Sequence, residues 1–386
     1  MKHKTWVEIS KSALTSNVRA FRRHVGEKTS IVAVVKSNAY GHGLVEVAKV
    51  ADKEGAAWFG VDNVDEGIAL RKNGIKKPIL ILGYTLIDRL RDCVDYRLSF
   101  VVYNMETARA LKSLHLKSVS KTPSKDAKAA YVHLKIETGT TRQGLSGPEL
   151  VKLARELKKI PGVVIEGAST HFANIEDTTD HSYAEEQLER FQKNLALLSK
   201  EGVNPPWIHA ACSAATVLFP ETYFNLVRLG VSMYGLWSSK ETLAVAKQKH
   251  QLLDLKPVLT WKTVVAQVKR VKKGTPVSYG LTERVSRDSK IAVLPVGYWD
   301  SYSRQLSGTG IVLIRGRRCK ILGRVCMNMC LADVTDVPGV KVEDEVVLLG
   351  RQKTEMVSAE EIASKIGSIN YTVVTNINPL IPRIVQ

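Results

Sequence analysis

No apolar run in this sequence approaches the roughly 18 residues of a membrane-spanning helix, so a membrane partner is not expected. The opening residues, Met1 to Glu8, contain no apolar signal core; export is not expected, and cytoplasmic residence is the default. Cysteine is scarce, with five in 386 residues, at 93, 212, 319, 326 and 330. None forms a Cys-x-x-Cys pair, and the odd count argues against a disulfide framework. Cys326 and Cys330 lie in an apolar, strand-like stretch and read as ordinary buried thiols, so no metal is implied. Acidic residues are in deficit, 38 against 56 lysines and arginines, which leaves a formal charge of +18. The basic residues are spread along the whole chain, without an RNP block or a helix-turn-helix, so nucleic acid is not expected as a partner. Such basicity is solvated surface that also concentrates small anions. There is no low-complexity tail, and no repeat beyond an alternation of strands and helices.

That alternation is the first positive signal. Hydrophobic content of 44% and charged content of 24% are those of a globular protein, and the length suits two domains. Strand patterns fall at 30–36, 56–61, 78–83, 98–103, 130–137, 163–170, 207–213 and 226–230. Amphipathic segments at 13–25, 64–73, 104–114, 147–159 and 184–201 separate them. Eight strands alternating with helices predict an N-terminal (β/α)8 TIM-type barrel over residues 10–243. The polar stretch 117–128 reads as a mobile surface loop. From 244 to 386 strand patterns with tight turns dominate, with one helix near 358–366, and predict a mainly β C-terminal domain.

A barrel carries its chemistry at the C-terminal ends of its strands. The apolar run Ile31 to Val35 reads as a strand buried on both faces, and it ends on Lys36. Burial favours the neutral amine, the form that condenses with an aldehyde, although a lysine snorkelling to solvent fits the same pattern. Tyr40, Gly41 and Gly43 follow, a hydroxyl and two residues that let backbone approach an anion. Lys135 and Arg142 lie in and after the fifth strand, and His171 follows the sixth. Ser213 ends the seventh, while Arg228, Gly230 and Val231 end the eighth.

Nine blocks carry a family resemblance in order. They are Lys36 to Gly43, His133 to Gly139 with Arg142, Thr170 to Ala173, His209 to Ala215 and Val227 to Gly235. Val277 to Gly280, Pro295 to Tyr298, Gly323 to Met327 and Ile369 to Tyr371 complete them. Together they resemble the alanine racemases over about nine-tenths of the chain, a far more specific signal than one glycine-rich block. The resemblance implies pyridoxal 5'-phosphate held on Lys36 as a Schiff base, and interconversion of L- and D-alanine that supplies D-alanine for peptidoglycan. It implies a two-base mechanism, with Lys36 on one face of the substrate and Tyr279, from the partner of a homodimer, on the other. Arg228 would face the pyridine nitrogen, oriented by His209, with His171 and Arg228 as candidates for tuning Tyr279. Tyr40, Ser213, Tyr371 and the N–H groups of Gly230 and Val231 would hold the phosphate. Arg142 and the Met327 N–H would meet the substrate carboxylate, Tyr298 would narrow the side-chain pocket, and Lys135 would carry a carbamate. Residues 1–9 would join the C-terminal domain.

Some positions depart from the common pattern. Thr140 and Thr141 precede Arg142 where methionine and a small residue are usual, and Gln143 replaces an aliphatic residue. Glu137 stands for aspartate, Ser37 for alanine, Cys212 for asparagine and Asn328 for aspartate. These changes leave the acid/base pair intact and bear on selectivity and rate. The nearest alternative is therefore a broad-specificity or serine-preferring racemase on the same scaffold. A decarboxylase or aldolase of the same cofactor class, a non-catalytic cofactor carrier and a basic RNA-binding module are more distant.

Overall fold

A computed structural model describes residues 3–116 and 129–386; the stretch 117–128, expected as a surface loop, lies outside the described residues. The chain divides into two compact units. One comprises Leu14–Ser37 and Leu44–Lys256, the other Met1–Ala13, Asn38–Gly43 and Pro257–Gln386.

Strand β1, Thr5–Ile9, belongs to the second unit. The first unit is built on β2 (Ser30–Val34), β3 (Trp58–Val61), β4 (Ile79–Ile81) and β5 (Ser99–Val102), then β6 (Ala130–Lys135), β7 (Val163–Ser169), β8 (Trp207–His209) and β9 (Leu226–Leu229). All eight run parallel in the order β8-β7-β6-β5-β4-β3-β2-β9. Arg228 N–H donates to Ala211 C=O at 3.0 Å and bridges the two ends of the ladder, which closes the barrel. The sequence explains this sheet: β3, β4, β5 and β9 are buried at every position, as parallel strands covered on both faces must be. The covering helices start where side chains can satisfy their first N–H groups. Asn63 caps Val64–Lys72, Asn104 caps Met105–Ser113 and Ser239 caps Lys240–Gln248. Each cap contributes about 1 kcal/mol.

Three expected strands are shorter than the apolar runs suggested. β2 stops at Val34, because Lys36–Tyr40 forms a helical turn in which Ser37 to Tyr40 all have φ between 52° and 56°. Four residues wound left-handed cost on the order of 1 kcal/mol each, strain that structures tolerate mainly at functional sites. β8 ends at His209, because Ser213 opens the helix Ser213–Leu218. The run 258–271 divides into two strands, β10 (Leu259–Val264) and β11 (Gln267–Val271).

The second unit continues with β12 (Pro276–Val277), β13 (Glu283–Arg284), β14 (Ser289–Leu294), β15 (Ile311–Ile314), β16 (Arg317–Leu322), β17 (Cys330–Asp333), β18 (Glu345–Gln352), β19 (Glu355–Val357) and β20 (Arg383–Val385). Its main sheet has the order β11-β14-β17-β16-β15-β18-β10-β1-β20. β1 pairs antiparallel with β10, Val7 opposite Trp261, and both strands alternate buried with half-buried positions, as a sheet covered on one face does. Gly41 explains why Asn38–Gly43 goes with this unit. Its φ is +82°, a Cβ there would lie 2.0 Å from the Val374 carbonyl oxygen, and Arg383 Nε donates to the Gly41 carbonyl at 3.1 Å.

Candidate active site

Lys36 sits just beyond β2, at the C-terminal end of the barrel. The sequence left a desolvated and a snorkelling amine both open; the side chain is 38% exposed, and its Nζ lies 3.7 Å from Asp62 Oδ1. Asp62 follows β3 and is held by its backbone. Its N–H donates to Glu66 at 2.9 Å, and its carbonyl accepts from Gly83 N–H at 3.1 Å.

Next to β2, β9 brings in Arg228, with Val32 opposite it in the ladder. Its guanidinium is buried, with no carboxylate paired to it among the described residues. Nη1 donates to His209 Nδ1 at 2.7 Å and to the His209 carbonyl at 3.0 Å. Nη2 donates to the carbonyls of Thr170 and Ala210, each at 2.9 Å, with His171 Nδ1 at 3.3 Å. Nε has no hydrogen-bond partner among the described residues. Burial lowers Arg228 to about 10, which still leaves it charged at neutral pH. Burial first, then the Arg228 charge, push His171 and His209 well below the usual imidazole range, so both rings are neutral. The loop carrying His171 is fixed by Gln187, which donates to the His171 carbonyl and to Thr138 Oγ1, each at 3.2 Å.

The desolvated lysine of this site is Lys135, the last residue of β6. Burial and the charges of Arg228, Arg142 and Lys36 hold its amine well below the ordinary lysine value, with Glu137 opposing them. Arg142 is exposed on the following loop, and its side chain has no partner among the described residues. Glu137 organises that loop: its carboxylate accepts from Gly139 N–H at 2.5 Å and from Arg142 N–H at 3.3 Å. Burial raises Glu137, but the backbone N–H groups of the loop outweigh it and keep the carboxylate ionised. A glutamate in place of aspartate therefore does local folding work here.

Ser213 is buried, and its Oγ accepts from Gly230 N–H at 3.0 Å and Ser232 N–H at 3.4 Å. The Val231 N–H, first in a 3-10 turn over Val231–Tyr234, is buried without an acceptor among the described residues. Cys212 precedes Ser213 and does not cap the helix; burial pushes its thiol up to about 11, which removes it as a nucleophile.

In the second unit, the rings of Tyr40 and Tyr371 are 6.1 Å apart. Tyr279 opens a 3-10 turn between Ser278 (φ 64°) and Gly280 (φ 74°), and 73% of it is exposed. Ser278 Oγ donates to the Arg324 carbonyl at 2.6 Å, anchoring the turn to the loop that carries Met327. Met327 and Tyr298 are exposed; the carbonyls of Cys326 and Met327 accept from the N–H groups of Tyr298 and Trp299, each at 3.0 Å. Gly297 permits this approach, since a Cβ there would lie 2.2 Å from the Cys326 oxygen. The Met327 N–H has no acceptor among the described residues.

Sequence reasoning missed Asp62, Glu166 and Gln187, and cited His133 only as part of a matching block. Asp62 had a usable signal, a carboxylate at the C-terminal end of a barrel strand. All five cysteines are free, no described helix is long and apolar enough to cross a membrane, and no described cluster of three or more His, Cys, Asp or Glu could hold a metal.

This arrangement is that of an α/β-barrel enzyme with its reactive groups at the strand ends. Sequence models of the alanine racemase N-terminal domain and C-terminal domain match residues 9–238 and 258–385. The chain belongs to the alanine racemase family. It is 38% identical to an alanine racemase of Methanococcus maripaludis, covering 99% of this chain and 98% of that protein. With an alanine racemase of Carboxydothermus hydrogenoformans the identity is 41%, over 98% of each. Among solved structures it is similar to the alanine racemase of Bacillus anthracis with bound L-Ala-P, at TM-score 0.91 and 34% identity, covering 100% of this chain and 96% of that one. A Clostridium difficile 630 alanine racemase in complex with cycloserine matches at TM-score 0.88 and 32% identity, with the same coverage.

Proposed function

We propose that this protein is a pyridoxal phosphate-dependent racemase that interconverts L- and D-alanine. The single observation that carries the reading is the set of barrel-end groups around Arg228. Lys36 and Arg142, a desolvated Lys135, neutral His171 and a buried guanidinium without a counter-anion among the described residues suit an anionic cofactor and a carboxylate substrate. The donors left open fit as well: Arg228 Nε suits an unprotonated ring nitrogen, and the Val231 N–H with the Ser213 hydroxyl suits a phosphate. By the family pattern, Gly230, Tyr40 and Tyr371 are assigned to the same phosphate.

Pyridoxal phosphate supplies a conjugated system that acidifies the α-hydrogen of a bound amino acid. Lys36 would hold the cofactor and would serve as the group that takes or returns the α-proton on one face. Tyr279 of a second copy serves the opposite face, which makes the working unit a homodimer. Arg228 would keep its own proton and offer the cofactor only a hydrogen bond, a role that would disfavour side reactions. Arg142 and the Met327 N–H bind the substrate carboxylate, the former with a planar fork. Tyr298 limits the side chain to alanine's size. The protein would act in the cytoplasm, with D-alanine for peptidoglycan as its product.

Incubation of purified protein and cofactor with L-alanine, L-serine or L-lysine, followed by chiral chromatography, tests this reading. D-alanine should form fastest. Preference for serine would favour the broader racemase, and no D-amino acid from any of them would overturn the proposal.

A further inference from the structure

A string of polar side chains crosses the barrel interior from Arg228 to the opposite end of the strands. Arg228 can only donate, so His209 Nδ1, 2.7 Å away, accepts. A neutral His209 then carries its proton on Nε2 and donates to His133 Nδ1 at 2.9 Å. His133 is left with its proton on Nε2, directed at Glu166 Oε2, 3.4 Å away. Ser99, the first residue of β5, donates to that same oxygen at 2.6 Å. One boundary condition at Arg228 assigns every proton along the string, and the last N–H requires an acceptor at the far end.

The backbone is shaped for this string in two places. The β6–β7 ladder shifts register, with Val132 opposite Ile165 but His133 opposite Gly167, so Glu166 is an extra residue in a bulge. Bulges re-aim a side chain, and they gather next to active sites. Gly167 clears the space beside it: a Cβ there would lie 2.1 Å from His133 Nδ1. The His133 ring also meets Trp58 edge-on, with centroids 5.5 Å apart, which limits its rotation.

We propose that Glu166, held by Ser99, is a positioning residue for racemisation, fixing through His133 and His209 the orientation and proton arrangement of Arg228. This rests on the reading of Arg228 as the cofactor's partner. Glu166 touches neither substrate nor cofactor; it receives the final proton of the string. Glu166→Gln retains an oxygen acceptor, whereas Glu166→Leu leaves the His133 N–H buried with none, and the ring contacts behind it relax.

The experiment has two arms. In the cofactor-free protein labelled with 15N-histidine, two-bond 1H–15N spectra distinguish the imidazole tautomers. Wild type and Glu166→Gln should show His133 and His209 with the proton on Nε2, and Glu166→Leu should shift both signal sets. In the loaded enzyme, Glu166→Leu should lower kcat about tenfold, leave KM within about twofold and raise pyruvate formed per D-alanine about fivefold, with Glu166→Gln restoring most of each. Pyruvate reports the side reaction in which alanine's amino group exchanges with the cofactor's aldehyde oxygen. Ser99→Ala should move all readouts the same way but less, and it serves if the leucine variant does not fold. An Nδ1-protonated His133 or His209 in wild type would overturn the proposal. So would a leucine variant with lowered melting temperature but wild-type kcat, product ratio and spectra. If wild type makes no D-alanine, the functional reading fails, and the spectra still decide the string.

Discussion

The string behind Arg228 and the loops around Tyr279 are opposites in how far the chain completes them. In the barrel, a buried guanidinium has its Nη donors engaged by acceptors of its own unit, and the rings behind it are linked to one another. Around Tyr279 the backbone is just as tightly tied, yet the phenol itself stands in solvent, as do Trp299 and Met329 nearby in sequence to Tyr298 and Met327. Burial explains the first: a charged group taken out of water must find its partners in the same chain or the fold fails. Exposure of several large apolar side chains is the mark of a surface awaiting a partner. On the proposed reading, the cofactor's arginine is completed within the protomer, whereas the phenol is left for a neighbour's use.

The comparison breaks if Tyr279 serves its own protomer. Lys36→Ala and Tyr279→Phe should each lower activity at least about 10³-fold. Mixed and allowed to exchange, they should recover up to about a quarter of wild-type sites, because half the dimers are hybrids and each hybrid has one intact site. Activity of the mixture no higher than the parents, after exchange is verified by mass, would end the shared-site reading.

Buried imidazoles offer the next largest effect. His42, whose Nδ1 lies 2.9 Å from the Tyr40 carbonyl, is lowered by burial to about 4 from 6.5. Because the folded value is the lower one, the unfolded chain takes up the proton first. Stability present above pH 6.5 is therefore lost as pH falls toward 4, on the order of 3 kcal/mol in total. His171 and His209 are lowered in the same direction and add to the acid loss. His42→Asn should flatten the pH dependence of urea unfolding in this window without abolishing it; an unchanged slope would locate the acid sensitivity entirely in the barrel.

Much of this was legible in the sequence, for reasons that differ by element. The eight parallel strands were readable because strands buried on both faces are largely apolar, as β3 and β4 are throughout and β5 is after Ser99. The lysine and arginine at strand ends were readable because a charge next to such a run is anomalous. What could not be read was backbone handedness and ring order. Nothing in Ser37-Asn38-Ala39 announces a left-handed turn, since none is glycine. The local pattern did not rank the two lysines: Lys36 is half-exposed beside Asp62, whereas Lys135, between buried Leu134 and Ile136, is the desolvated one.

That distinction yields a third test. Burial holds the Lys135 amine well below the ordinary lysine value, which raises the fraction of the neutral form that can add carbon dioxide, forming a carbamate and releasing a proton; the carbamate would pair with Arg142. Native mass spectrometry in bicarbonate should show one added carbon dioxide that Lys135→Ala abolishes. That variant should raise the KM for alanine about tenfold with a smaller change in kcat, as lost carboxylate positioning would. A bare Lys135 with unchanged KM in the variant would remove it from substrate binding.

The smallest effect concerns Asp62, which sets the open end of the barrel apart from its sealed interior. Its pair with Lys36 is long at 3.7 Å, and the two side chains are 48% and 38% exposed, so it contributes little to stability. Its consequence is kinetic: the pair must part before the amine can reach an aldehyde. Asp62→Asn should speed capture of pyridoxal phosphate by the cofactor-free protein about threefold, followed by growth of the visible absorbance band, and molar salt should shrink the difference by screening. Buried pairs resist salt, so a salt-insensitive difference would mean that Asp62 belongs with the sealed interior after all. Slower capture in the variant would instead make the carboxylate an aid that orients the amine.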